Sequence, residues 1–432
     1  MFNILDEIGF SFLEIGIVIM IALFIVIILK KVGIPTVLGF IIGGLFINFF
    51  IDVEDIFKTD FYVLKLIITE VALAYIGYDI GNEIDIDLLI QKGKKFFVIL
   101  IGEAIGAFIA ITFGLFLFLT ILIQMNILET DIPMEIALLL GSVGMATAPA
   151  ATSQILNEYS AKGELAQTVL FILAFDDIMA ILFVNVFLTY TVYSAEVFSV
   201  LIILDVFTHV ILDIIYSTIL GSLGALIIYT IIKLKLTEDG RLLPWLVTIM
   251  FLIVGTAIFF KISVILTMFI WGALLKYLET KCGCMMLKGH IEDLEVLMIP
   301  VVLLFFVLIG LLMDIGLLIN ITTLSIAIIY FLFRSFGKGS GSYLCCRLTK
   351  VSEKVKNNLY LCLITQAGVA IGLGGLIFNK LSSSEVGLVY EASLILNIIG
   401  VSVIIAELVG PFFVKKAVIR CGEGKIQNGR QC

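Results

Sequence analysis

Charge is scarce in this chain: Asp, Glu, Lys and Arg make up 14% of its 432 residues, hydrophobic residues 61%, and the mean hydropathy is +1.19. Soluble domains are about a quarter charged and about half apolar, so the composition excludes a water-soluble globule and leaves no room for a soluble catalytic domain. Also missing is a basic segment ahead of the first apolar run. That run follows the acidic start Met1-Phe2-Asn3-Ile4-Leu5-Asp6-Glu7 with no small-residue cleavage site, and is expected to stay as a first helix. Among the seven cysteines no second pair with zinc-like spacing accompanies Cys282-Gly283-Cys284, which argues against a zinc site. Their places, mostly in or beside joints rich in lysine and arginine, predict reduced cytoplasmic thiols. The net charge of -8 reflects acidic outer loops and acids inside apolar runs, and points to no nucleic-acid partner.

What is present is a succession of apolar runs, each of about 20 residues, the length a helix needs to span a bilayer. The expected fold is an all-α polytopic membrane protein with about thirteen transmembrane helices. With the N-terminus outside, alternation places Lys30, Lys31, Lys92, Lys94, Lys95, Lys162, Lys233, Arg241, Lys281, Arg347, Lys354, Lys415 and Lys416 in the cytoplasm. Outer joints are acidic instead, as at Asp52, Glu54, Asp55, Asp60, Glu129 and Asp131. This is the positive-inside asymmetry, and it predicts a cytoplasmic C-terminus.

Two expected spans contain features that a plain membrane helix avoids. The fifth, 133–157, holds Gly141, Gly144 and Pro149 near its middle, with Thr147 and Thr152 around them. Pro149 has no N–H and clashes with the preceding turn, so backbone carbonyls are freed and must find other partners. The twelfth, 357–378, holds Thr365-Gln366-Ala367-Gly368 and further glycines up to Gly375. Interrupted helices at corresponding places in two halves are the mark of inverted repeats with a site at the midplane, here the fourth to sixth and the eleventh to thirteenth spans.

The chemistry centres on Asp176 and Asp177, adjacent in the otherwise apolar stretch from Leu170 to Val184. A carboxylate at mid-membrane depth costs at least about 2.5 to 3.5 kcal/mol, so each needs a partner, a cavity or a bound cation. Adjacent helical positions point about 100° apart, so the two acids face different neighbours and share no proton. The eleventh span offers Arg334 and Lys338 one turn apart, Lys338 flanked by small residues that permit close helix approach. Thr147 is a candidate extra oxygen, and Gln366 and Thr152 are candidates to complete a polar cavity. Glu70, Glu103, Glu391 and Glu407 read as packing or interfacial partners, and His209 and His290 as solvated residues at helix edges.

Ala146-Thr147-Ala148-Pro149-Ala150-Ala151-Thr152, then Glu158 to Gly163, then Phe175-Asp176-Asp177 resemble, in order, motifs of the cation/proton antiporter superfamily, specifically its electrogenic branch with paired aspartates. Ile34 to Gly44 resembles the family's second helix and Phe305 to Asp314 its tenth, so the likeness runs over almost the whole chain. The resemblance implies two crossing broken helices and an elevator-like movement of a core domain against a dimerisation domain. It places dimerisation helices at 1–95 and 236–316, core helices at 96–190 and 317–416, a linking helix at 191–235 and a cytoplasmic tail at 417–432. It further implies a homodimer, Asp177 as ligand of the transported sodium or proton, and Asp176 paired with Lys338 in the ion-free state. One departure is Ala148, where many relatives carry Asp.

The expected function is secondary active exchange of sodium, or lithium, for protons across the cell membrane, without a cofactor and without enzymatic chemistry. Two protons per sodium would move one net charge, worth about 2.3 kcal/mol per 100 mV. A potassium/proton antiporter is the nearest alternative. The short stretch after Lys416, with no nucleotide-sensing domain, tips the expectation toward sodium. An intramembrane aspartyl protease also buries two acids, and Tyr78-Asp79 matches one of its settings. No Gly-x-Gly-Asp supplies the other.

Overall fold

A computed structural model describes residues 4–31, 36–50, 61–82, 86–148, 152, 155–156, 159–194, 200–234, 236, 242–281, 285–383 and 386–423. Pro149 and Glu158, singled out in the sequence, lie outside the described residues, as do Cys282, Cys284 and Cys432. The described residues form α-helices and no strand: α1 (Ile4–Lys31), α2 (Thr36–Phe50), α3 (Phe61–Asn82), α4 (Ile86–Gln124), α5 (Pro133–Val143), α6 (Glu164–Ser194) and α7 (Val200–Lys233) come first. There follow α8 (Leu243–Phe259), α9 (Val264–Lys281), α10 (Met285–Leu312), α11 (Ile315–Ile319), α12 (Ile321–Leu348), α13 (Glu353–Asn358), α14 (Gly368–Leu381) and α15 (Val389–Cys421), with a 3-10 turn at Leu359–Leu363.

Among the described residues six helices are long and apolar enough to cross a membrane, or seven if the bent pair Glu353–Leu363 and Gly368–Leu381 counts as one span. Four shorter apolar helices accompany them. The chain is therefore a multi-pass helical membrane protein. Among the described residues several of the expected spans form shorter helices: α2 has 15 residues, α5 has 11 and α8 has 17. The stretch around Asp205, His209 and Asp213 belongs to the single helix α7.

Local chemistry sets the helix ends. Pro133 opens α5 and Pro244 lies in the first turn of α8, where the missing N–H costs nothing because that donor has no helical partner. Asn320 starts α12 by accepting a hydrogen bond from the Thr322 N–H at 2.8 Å. Gly422, at φ +71°, ends α15 in a left-handed conformation open to glycine at little cost.

The chain divides into two compact units. The first, 1–82 with 216–316, has a core around Trp271, which is fully buried and 5.3 Å from the ring of Tyr78, with Met250, Met268 and Leu246 about it. The second, 83–215 with 317–432, holds α4, α5, α6 and α12 to α15. Within it α4 and α12 pack backbone to backbone over Gly102, Gly106, Gly337 and Gly341. A Cβ on Gly337 would lie 2.5 Å from the carbonyl of Gly106, and one on Gly341 would strike that of Gly102.

Candidate ion site

Three helices of the second unit carry the ionisable groups. Glu103 is on α4, Asp176 and Asp177 on α6, and Arg334 and Lys338 on α12; none is more than 2% exposed. The glycine crossing explains how two of them meet. Glu103 stands between Gly102 and Gly106, and Lys338 between Gly337 and Gly341, so the small residues that let the backbones touch also bring acid and base face to face.

Lys338 Nζ donates to Glu103 Oε2 at 2.8 Å, to Thr147 Oγ1 at 2.8 Å and to the carbonyl of Met145 at 2.5 Å, while Asp176 Oδ2 lies at 3.5 Å. An ammonium has three protons, so the three shorter contacts use them all. Asp176 is reached chiefly through Thr147, whose hydroxyl accepts from Lys338 and donates its own hydrogen to Asp176 Oδ2. The other oxygens of these two acids, Glu103 Oε1 and Asp176 Oδ1, are buried and have no hydrogen-bond partner among the described residues. Asp177 lies within electrostatic reach of Arg334.

Arg334 holds the helix breaks together. Its Nε donates to the carbonyl of Gly144 at 3.1 Å and Nη2 to that of Ala146 at 2.7 Å, both just past the end of α5. Nη1 donates to Ile364 O at 2.7 Å and Nη2 also to Thr365 O at 3.0 Å, in the gap before α14. The two gaps bond each other as well. The Ala148 N–H donates to Thr365 O at 3.2 Å, Thr365 Oγ1 donates to Ala148 O at 3.1 Å, and the hydroxyls of Thr152 and Thr365 are 3.0 Å apart. Carbonyls freed where helices stop thus find as donors a fixed planar cation and the N–H and hydroxyl groups of the facing gap.

The structure therefore brings Asp176, Thr147 and Lys338 into one cluster and puts Arg334 one turn away, at the breaks. Thr152 and Gln366 are buried at the same crossing. Thr152 bonds Thr365 and the carbonyl of Cys362, and Gln366 donates to Tyr330 Oη at 3.0 Å and accepts from Ser402 at 3.4 Å. Glu103, read from the sequence as a packing or interfacial partner, pairs here with Lys338. It is the closest carboxylate to Lys338. The paired glycine spacings around both residues are the signal that links them.

A multi-pass helical chain with buried acids and bases gathered where two interrupted helices bond each other defines a secondary transporter. The family model of the sodium/hydrogen exchanger, transmembrane, matches residues 18–419, and the chain belongs to that family. It is a cation/proton antiporter and not an enzyme. The sodium proton antiporter MjNhaP1 from Methanocaldococcus jannaschii, solved at pH 8, has a similar fold, with a TM-score of 0.70 at 16% sequence identity over 96% of this chain and 99% of that one. No curated protein matches the chain in sequence.

Proposed function

We propose that the chain exchanges sodium or lithium for protons across the cell membrane by alternating access, with Asp176 and Asp177 as the shared site. The observation that carries this reading is the burial of both carboxylates on one helix, with Asp176 beside Thr147 and Lys338 where the two helix gaps bond each other. A bare carboxylate there is held back from crossing lipid by its desolvation cost, whereas one neutralised by a cation or a proton is not. Because both guests neutralise the same group, each excludes the other, and competition alone couples their movements in opposite directions.

In this reading Asp177 takes the cation or the proton, Asp176 pairs with Lys338 in the empty site, and Thr147 adds an oxygen. Arg334, Thr152 and Gln366 keep the crossing in shape. The core helices at 96–190 and 317–416 move against dimerisation helices at 1–95 and 236–316, linked by 191–235, in a homodimer with the N-terminus outside and the C-terminus in the cytoplasm. The aspartate pair on its own favours electrogenic exchange, with a second proton leaving Lys338 as sodium displaces it from Asp176. The contact between Lys338 and Glu103 bears directly on that second proton.

The test is reconstitution into liposomes holding a pH-sensitive dye, with sodium, lithium or potassium added outside. Dequenching by sodium and lithium is expected, and dequenching by potassium alone would replace sodium with potassium as the cargo. In the same vesicles Asp177→Asn should carry no exchange while remaining folded.

A further inference from the structure

Lys338 has two carboxylates in reach, and the nearer is not one of the aspartates. Glu103 Oε2 lies 2.8 Å from Nζ against 3.5 Å for Asp176 Oδ2, and both acids and the lysine are at most 1% exposed. The glycine crossing of α4 and α12 fixes that pair in the backbone packing itself, because the residues on either side of Glu103 and Lys338 are the ones that touch. The charged groups acting on Glu103 are Lys338, Asp176 and Arg334. Those acting on Asp176 include Lys338, Arg334 and, since the repulsion is mutual, Glu103. Three buried carboxylates thus face two cations, and with all of them ionised the cluster carries one negative charge.

An electrogenic cycle needs sodium to expel two protons, one from the aspartate pair and one from a lysine that loses its counter-ion when the cation arrives. Here the second loss has no cause. When sodium occupies the aspartates and Lys338 gives up Asp176, Glu103 still holds the ammonium in a buried ion pair, and removing its proton would strand an unpaired carboxylate in the membrane interior. Sodium then displaces one proton, and either guest brings the cluster from one negative charge to neutrality.

We propose that Glu103 is a positioning residue that keeps Lys338 charged throughout the cycle and so sets the exchange at one proton per cation, without net charge movement. This rests on the antiport reading above and revises its stoichiometry: despite the paired aspartates, the transport is electroneutral. In Glu103→Gln, sodium entry deprives Lys338 of its last carboxylate partner among the described residues, and the lysine proton leaves with the first.

The experiment uses the full chain in proteoliposomes, clamping the potential with potassium and valinomycin and finding the sodium gradient at which a given pH gradient drives no net flux. For the native chain the null is expected where the two gradients are equal, unmoved by potential. Glu103→Gln should become potential-sensitive, its null shifting toward a twofold ratio, and Glu103→Asp should restore insensitivity. A merely structural Glu103 would lower rates in both variants without moving the null. A native null at the twofold ratio, or one that moves with potential, overturns the inference even if Glu103→Gln does not fold. Absence of any cation-coupled proton flux in the native chain would instead overturn the antiport reading and the inference with it.

Discussion

Arg334 and Lys338 lie one turn apart on α12 and divide between them the three carbonyls freed where α5 ends: Arg334 takes those of Gly144 and Ala146, and Lys338 takes that of Met145. Two cations on one helix thus do different work. The guanidinium spends its donors on backbone from both gaps, whereas the ammonium keeps two of its three for Glu103 and Thr147 and so stays tied to the acids.

Replacing Arg334 should therefore damage the fold before it alters ion handling. Each buried carbonyl left without a donor costs about 1–3 kcal/mol; Arg334 serves four carbonyls, of which Thr365 O keeps the Ala148 N–H as a second donor. Arg334→Gln is expected to lower the unfolding midpoint in detergent by several degrees. Arg334→Lys should recover only part, because an ammonium cannot reproduce the planar fork. An unchanged midpoint for Arg334→Gln would show that the gaps hold without it.

Thr147 relays between Lys338 and Asp176, so its hydroxyl and not its volume should matter. Thr147→Ser keeps a donor and acceptor and should transport nearly as the native chain does. Thr147→Val keeps the shape and loses about 1 kcal/mol of hydrogen bonding, or roughly a fivefold change in apparent sodium affinity. Initial rates of dye dequenching against sodium concentration measure both. Equal affinities for the two variants would remove Thr147 from the site.

The glycine crossing of α4 and α12 predicts a steric sensitivity. Gly337→Ala puts a Cβ 2.5 Å from the carbonyl of Gly106, so the helices must part. Overpacking of this kind costs about 1–3 kcal/mol. Thermal unfolding should show the loss, while Gly339→Ala on the same helix, whose nearest neighbour would be 3.5 Å away, should unfold as the native chain does.

At the other end of the site helix, Glu423 caps α6. Its Oε1 accepts from the Leu165 N–H at 2.7 Å and its Oε2 from the Ala166 N–H at 3.1 Å. A carboxylate on a helix N-terminus satisfies orphan donors and opposes the dipole, together about 0.5–2 kcal/mol. Glu423→Ala should lower the unfolding midpoint accordingly, and Glu423→Gln by less, since an amide oxygen still accepts. An unaltered midpoint in both would rule the cap out as a source of stability.

Much of this was readable in the residues themselves. The helical, multi-pass class follows from hydropathy, and the aspartates and α12 cations stand out because lipid tolerates so few charges. Glu103 was equally visible in its apolar run, yet nothing in one dimension says which neighbour a helical side chain faces. Only the matched spacing of Gly102 with Gly106 and Gly337 with Gly341 hints that it meets Lys338. The work of Arg334 was hidden for a different reason: its partners are backbone carbonyls, which carry no sequence signature. The break expected in the run 133–157 is visible where α5 ends at Val143.

The account stands on one buried carboxylate site contested by sodium and protons, and sodium binding to the purified protein across a pH series tests it most directly. If the guests exclude each other one for one, each unit of acidification in the acid range should weaken apparent sodium affinity about tenfold by mass action, and Asp177→Asn should bind none. A sodium affinity that stays constant as pH falls, or that survives Asp177→Asn, would contradict it.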